Sequence, residues 1–177
     1  MPFIPSNMKR AGEPTEFSMR QAALSPVRKY DIFARDNSLV YSIEGDIAQL
    51  GLTLRQGSSD IVKLKRKIGS LRLKYTIIRN GEEAGFIEKD SIMRSSADAS
   101  GTLLGRELVI KSHDRARRFD IGLDNVMICQ VNHVHSGMLS ETFEIISFDK
   151  EMQDVSAALA AVCDRLHEIR YSCEEDN

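Results

Sequence analysis

Val155–Cys163 carries an apolar or small side chain at every position except Ser156. It sits inside a longer helical pattern, with apolar residues at Val155, Ala158, Leu159, Val162, Cys163, Leu166 and Ile169. That spacing predicts a helix from Glu151 to Ile169, begun near Asp149 or Glu151, where acids suit the positive end of the helix dipole. A helix that is apolar on all sides must be buried on all sides. The apolar run Val155–Cys163 falls well short of the ~20 residues needed to span a bilayer. The rest of the chain therefore has to surround it.

Upstream the apolar period is two. Leu39-Tyr41-Ile43, Leu50-Leu52-Leu54, Val62-Leu64, Leu71-Leu73-Tyr75-Ile77, Leu108-Ile110, Phe119-Ile121-Leu123, Val126-Ile128 and Phe143-Ile145 alternate with polar or lighter neighbours. Such alternation gives strands with one face in a core and one in water. Turn signals at Arg35–Ser38, Gly45-Asp46, Gln56–Ser59, Asn80-Gly81 and Leu123–Asn125 separate them. Their spacing of about 8–12 residues predicts an all-β barrel or sandwich, not βαβ units. Ser95–Gly101 is small and polar and is expected to be a loop between two halves. Those halves share a faint repeat, Asp60–Leu64 through Tyr75–Ile78 against Asn125–Ile128 through Phe143–Ile146. One buried helix within an otherwise β chain predicts a closed antiparallel barrel around it, which also removes open sheet edges.

Composition excludes several classes. The chain has 177 residues, 42% of them apolar and 28% charged, which suits one globular domain. Three cysteines cannot build a disulfide framework. Cys129 and Cys163 fall in apolar patterns and are expected in the core, whereas Cys173 falls in the tail. Reduced cysteines and the lack of a signal-like apolar stretch near the first residue lead to an expectation of a cytoplasmic protein. Residues 1–16 are expected to be a flexible tail, 17–170 the barrel domain, and 171–177 an acidic tail ending in Glu174-Glu175-Asp176. The net charge of -2 comes from these tails: from Phe17 to Arg170 there are 22 Lys and Arg against 21 Asp and Glu. No global basic signature points to nucleic acid.

An ordered set of segments resembles the tubby C-terminal-like superfamily, and within it the LURP-one-related and phospholipid-scramblase-like branch. The segments are Phe17-x-Met19-Arg20-Gln21, Lys29–Ile32, Val40–Gly45, Lys65-x-Lys67-Ile68 with Tyr75-Thr76-Ile77, and the helix stretch Leu159–Asp164. The match runs from about Phe17 to Ile169. It departs from the pattern at Leu108–Asp114, where the Gly-Asp that usually follows is not evident. The resemblance implies a closed barrel of about twelve strands with the C-terminal helix through its centre. Function within the family is heterogeneous: tubby members bind phosphoinositide head groups, scramblase-like members act at membranes, and many LURP-one-like members have no established activity.

Two constellations are candidate sites. Between Ile61 and Asn80 lie Lys63, Lys65, Arg66, Lys67, Arg72, Lys74 and Arg79 with no acid. As a hairpin, this stretch offers a cationic sheet face for an anionic lipid head group or membrane surface. Its alternative is a solvated face neutralised by neighbouring acids, or lysine protection of an edge. His133-Val134-His135 places two imidazoles on one strand face, a spacing that suits a metal; its alternative is a polar strand face. Cupin chemistry is excluded, because the nearest following acid, Glu141, is too distant and the second cupin motif is absent. Asp31, Asp36 and Glu44 read as turn and surface acids. No phosphate-binding loop, nucleophile elbow or Cys-x-x-Cys occurs. The expectation is a non-enzymatic binding domain without a cofactor, cytoplasmic or peripheral to a membrane. A protein-interaction module without lipid affinity is the second reading, and a small metal-dependent enzyme the third.

Overall fold

Most of the alternating stretches become strands, and the period change becomes a helix. A computed structural model describes residues 8–48, 50–93, 95–136 and 141–172. The strands are β1 (Lys9–Arg10), β2 (Thr15–Gln21), β3 (Lys29–Ala34), β4 (Leu39–Gly45), β5 (Gly51–Gln56), β6 (Ser59–Arg66), β7 (Lys74–Arg79), β8 (Glu82–Lys89), β9 (Ala99–Leu103), β10 (Arg106–His113), β11 (Arg118–Leu123), β12 (Val126–Ser136) and β13 (Glu141–Ser147). A single 3-10 turn (Lys150–Met152) then leads into α1 (Gln153–Tyr171).

From β2 to β13 every strand pairs antiparallel with its successor, and β13 pairs back with β2. The result is a closed twelve-stranded up-and-down barrel. Closure satisfies strand backbone groups without exposing an edge. The β6–β7 and β12–β13 hairpins, which carry the faint repeat, stand six positions apart in the strand order, on opposite walls.

The helix fills the barrel. Every residue from Val155 to Asp164 is buried, and Leu159, Val162 and Leu166 join one core with Ile32, Leu54, Leu64, Ile77, Phe119 and Phe143. Ala157, Ala158, Ala160 and Ala161 keep the rod slim enough to fit inside the wall. The Asp149 carboxylate accepts a hydrogen bond from the Glu151 amide at 3.0 Å and caps the turn that leads into the helix. Cys129 and Cys163 are both buried and reduced; burial pushes the Cys129 thiol up to about 12, so it behaves as a small core residue.

Asn80-Gly81 and Asp124-Asn125 adopt the paired positive φ of tight hairpin turns. Between β8 and β9 the backbones approach closely. A Cβ at Gly101 would meet the Phe86 carbonyl oxygen, and one at Gly85 the Thr102 carbonyl oxygen.

Three expectations need correction. The alternation Leu71–Ile77 is not one strand. β6 ends at Arg66, which pairs with Tyr75, so 67–73 form a connecting loop through Gly69 at φ 81°. Leu71 continues the sequence period but lies in that loop, 92% exposed. Ser95–Gly101 is not wholly a loop: Ala99 onward is β9, and β8 pairs directly with β9 across the supposed division. Within the expected tail 1–16, Lys9–Arg10 pair parallel with Val126 and Met127, covering the part of β12 that β13 does not reach. Cys173 and Glu174–Asp176 lie outside the described residues.

Candidate functional site

In an up-and-down barrel, alternate connections gather at the same end. The β2–β3, β4–β5, β6–β7, β8–β9 and β10–β11 connections share one end. α1 enters from the other end and emerges here: Arg28, beside β3, meets Glu168, and Arg117, beside β11, donates to the Tyr171 hydroxyl. This mouth carries large apolar side chains in open solvent. Leu24 (94% exposed), Ile47 (90%), Ile68 and Leu71, and Ile92 and Met93 each project from a different connection of this end, in four consecutive loops. Singly exposed apolar residues are ordinary; six on one end of the barrel make that end a candidate interaction surface.

The seven hairpin cations do not form one face. In β6, Lys63 and Lys65 point outward while Val62 and Leu64 are buried. They flank a shallow recess of about 290 Å³ with Ile61, Ile78 and Asp60. Lys63 lies 3.2 Å from Asp60. Arg72 lies 3.3 Å from Glu88 and donates to the Asp90 carbonyl. Lys74 sits over the Phe86 ring at 4.4 Å. Arg79 turns inward at the far end, where Nε donates to Asp154 Oδ2 at 2.9 Å and Nη2 to Oδ1 at 3.0 Å. The continuous cationic face expected from the sequence is thus divided by acids of the neighbouring strands and the helix. Lys65, Arg66 and Lys67 carry no ion pair among the described residues, and they lead directly into the loop that bears Ile68 and Leu71.

Beneath the loops lies a polar plug that the sequence reading did not single out. Arg28 makes a bidentate contact with Glu168, at 2.9 and 2.7 Å, and lies 3.4 Å from Asp164. The Tyr30 hydroxyl donates to Asp164 Oδ2. Asp164 Oδ1 is shielded from solvent and accepts no hydrogen bond among the described residues. Burial, with the charge of Glu168 and a smaller effect of Glu141, pushes the Asp164 carboxyl up to about 7 despite Tyr30 and Arg28. Burial and the neighbouring Asp164 charge likewise raise Tyr30. Burial works against the Arg28 charge, yet its contacts to Glu168 and Tyr30 outweigh this and hold it above the ordinary arginine value. Next to the plug, Arg28, Arg66, Arg165, Tyr75 and Asp46 line a recess of about 30 Å³, large enough only for water.

The histidine pair is also corrected. A β-bulge lies between His133 and His135: His133 pairs with Phe143, but His135 with Thr142. A bulge breaks strict alternation, so the spacing no longer guarantees a common face. The side chain of His135 lies outside the described residues. His133 is not on a polar outer face. It stacks on His167 of the helix at 4.5 Å between ring centres and meets the edge of Phe143. Its Nε2 lies 4.0 Å from Glu141 Oε2. No helix among the described residues is long and apolar enough to cross a membrane.

No protein-family model matches the sequence, and no curated protein matches it. The structure is similar to the X-ray structure of the Arabidopsis thaliana protein AT5G01750, with a TM-score of 0.59 and 11% identity over 92% of this chain and 96% of that one. At that identity the similarity shows a shared fold, and it extends over nearly the whole of both chains.

Proposed function

We propose that this chain is a non-enzymatic binding domain that docks the helix-exit mouth of its barrel on an anionic membrane surface. One observation carries this reading: large apolar side chains project from four consecutive loops of a single barrel end, beside the uncommitted cations Lys65, Arg66 and Lys67. Apolar tips bury methylene groups among acyl chains at about 0.8 kcal/mol each. A cation near an anionic leaflet adds about 1 kcal/mol. The two contributions act together only if both groups meet the same plane, and here Ile68 directly follows Lys67. The acids of the four loops that bear these apolar residues are engaged within the protein: Asp46 accepts from the Leu50 amide, Asp90 from the Ser100 hydroxyl and Asp98 from the Ser112 hydroxyl; Asp114, in the β10–β11 connection, is exposed. The resemblance of the sequence to the tubby-like superfamily and its LURP-one-related and scramblase-like branch agrees with a lipid-facing role. The arginine-lined recess is too small for a head group, so the reading is of a surface contact, not an enclosed lipid site.

The test is co-sedimentation with phosphatidylcholine vesicles, with and without phosphatidylserine. Binding is expected only to the anionic vesicles and should weaken with salt. Ile68→Ser with Leu71→Ser, and separately Lys65→Glu with Lys67→Glu, should each reduce it several-fold. If both double variants bind as the parent does, or if the parent ignores phosphatidylserine, the reading fails. The exposed mouth would then belong to a protein partner.

A further inference from the structure

We propose that His133, Glu141 and His167 form a binding site for a single divalent transition-metal ion of the zinc class, which ties the wall of the barrel to its central helix. One ring nitrogen of each histidine and one carboxylate oxygen lie within 4.8 Å of one another. His133 comes from β12, Glu141 from the first residue of β13, and His167 from the last turns of α1. Two imidazoles and one carboxylate from three separate elements are a standard donor set for zinc and its neighbours.

Three features distinguish this cluster from a chance grouping of polar side chains. The first is the tautomer of His167. Its Nδ1 lies 2.6 Å from the Ala116 carbonyl oxygen, which can only accept, so Nδ1 carries the proton and Nε2 keeps its lone pair. Backbone anchoring of one ring nitrogen is the usual way a metal-binding histidine is held. The second is Glu141: its Oε2 is shielded from solvent and accepts no hydrogen bond among the described residues. A shielded carboxylate oxygen without a donor is stabilised by a cation. The third is the local charge. The Glu141 charge reaches Asp164, which is buried one helical turn before His167. A divalent ion would offset that accumulation of carboxylates.

Binding requires one ring to turn: the His133 and His167 planes lie 21° apart, so their in-plane lone pairs converge on one ion only when His133 rotates out of the stack, His167 being held by Ala116. Ligand atoms on one tetrahedral zinc stand about 3.3 Å apart, given bonds of about 2.0 Å. His133 Nε2 and Glu141 Oε2 are at 4.0 Å, and Glu141 is the partly exposed first residue of β13. A fourth position would be taken by water. The proposal does not depend on membrane docking, and it is tested in solution without lipid.

The full chain, freed of metal by chelation and dialysis, is titrated with Zn²⁺ by calorimetry and with Co²⁺ by visible absorption. The expected result is one equivalent bound, tetrahedral Co²⁺ bands, and a Tm that rises with Zn²⁺. His133→Ala and Glu141→Gln should each weaken binding at least tenfold. His167 is buried, and its replacement risks the fold. Glu141→Gln is therefore the decisive variant, with circular dichroism to confirm that the barrel persists. Absence of stoichiometric binding by the parent, or affinity unchanged in both variants, overturns the site.

Discussion

Arg79 on β7 and Asp154 in the first turn of α1 are joined by two parallel hydrogen bonds, at 2.9 and 3.0 Å, across 75 residues of sequence. Arg79 also donates to the Glu151 carbonyl at 2.5 Å, so one guanidinium holds both the carboxylate and the backbone where the helix enters the barrel. Bidentate pairing of this kind fixes orientation as well as distance. Arg79→Ala should leave Asp154 partly buried beside a lost partner and cost about 2 kcal/mol, less than a fully buried pair because both groups retain some solvent. Denaturant melts of Arg79→Ala, Asp154→Ala and the double variant form a cycle. The double variant should recover part of the loss. Vesicle binding should be unaffected in all three, because Arg79 lies at the end remote from the loops.

The central position of the helix predicts a graded response at Leu159, which is fully buried against the barrel wall. Leu159→Ala should cost about 2–5 kcal/mol through lost contacts and a residual cavity. Leu159→Asp should prevent folding, since it places a charge within the apolar core that surrounds Leu159. Circular dichroism and soluble yield report both. Normal folding of Leu159→Asp would mean that the helix is not enclosed.

Legibility from sequence followed the physics of each element. The barrel was readable because burial imposes a period: Phe119-Ile121-Leu123 must alternate on a wall, and Val155–Cys163 must be apolar throughout inside it. The ends of elements were less readable. Leu71 keeps the strand period yet belongs to a loop, because the turn at Gly69 interrupts pairing without interrupting the pattern. The cationic hairpin was visible as composition, but its neutralisation was not. Glu88 stands nearby in sequence and still pairs across a strand boundary, and Asp154 arrives from the helix. The groups that meet at the mouth were invisible for the same reason. His133 and His167, or Arg28 and Glu168, are brought together only by barrel closure. The available signal was the abrupt polar turn that begins at Asp164, with Arg165, His167, Glu168 and Arg170, on a helix apolar from Val155 to Cys163 but for Ser156.

The close passage of β8 and β9 is expected to be intolerant of any side chain at Gly101. Its Cβ would stand 1.9 Å from the Phe86 carbonyl oxygen, an atom of the backbone that cannot swing away. Gly101→Ala should therefore cost about 3 kcal/mol, at the upper end for overpacked positions. Gly81, at φ 83° in an open turn, has nothing within 4 Å of such an atom. Gly81→Asn should cost less than Gly101→Ala, about 1 kcal/mol, because nothing obstructs the new side chain and asparagine tolerates positive φ better than other residues. Thermal melts of the two variants side by side separate steric exclusion from turn conformation.

Asp164 gives the fold a pH dependence of definite sign. In the folded chain its carboxyl is pushed up to about 7, chiefly by burial and then by Glu168, whereas in the unfolded chain it titrates near the ordinary value of about 3.9. Between those two values the folded state holds a proton that the unfolded state has released. Stability therefore declines as pH rises from about 4 to about 7, and this contribution levels off above that range. The Tyr30 hydroxyl and the Arg28 guanidinium face the carboxylate and limit the loss, but they do not cancel its burial. Asp164→Asn keeps an oxygen to accept from Tyr30 and removes the titration. Its Tm should change little between pH 5 and pH 8, while the Tm of the parent falls over the same interval. The two curves should differ most at pH 8, with the variant the more stable. A parent Tm that rises from pH 5 to pH 8, or equal slopes for the two proteins, would show that Asp164 is held as a fully paired carboxylate by Arg28, and not as a group kept protonated by its burial.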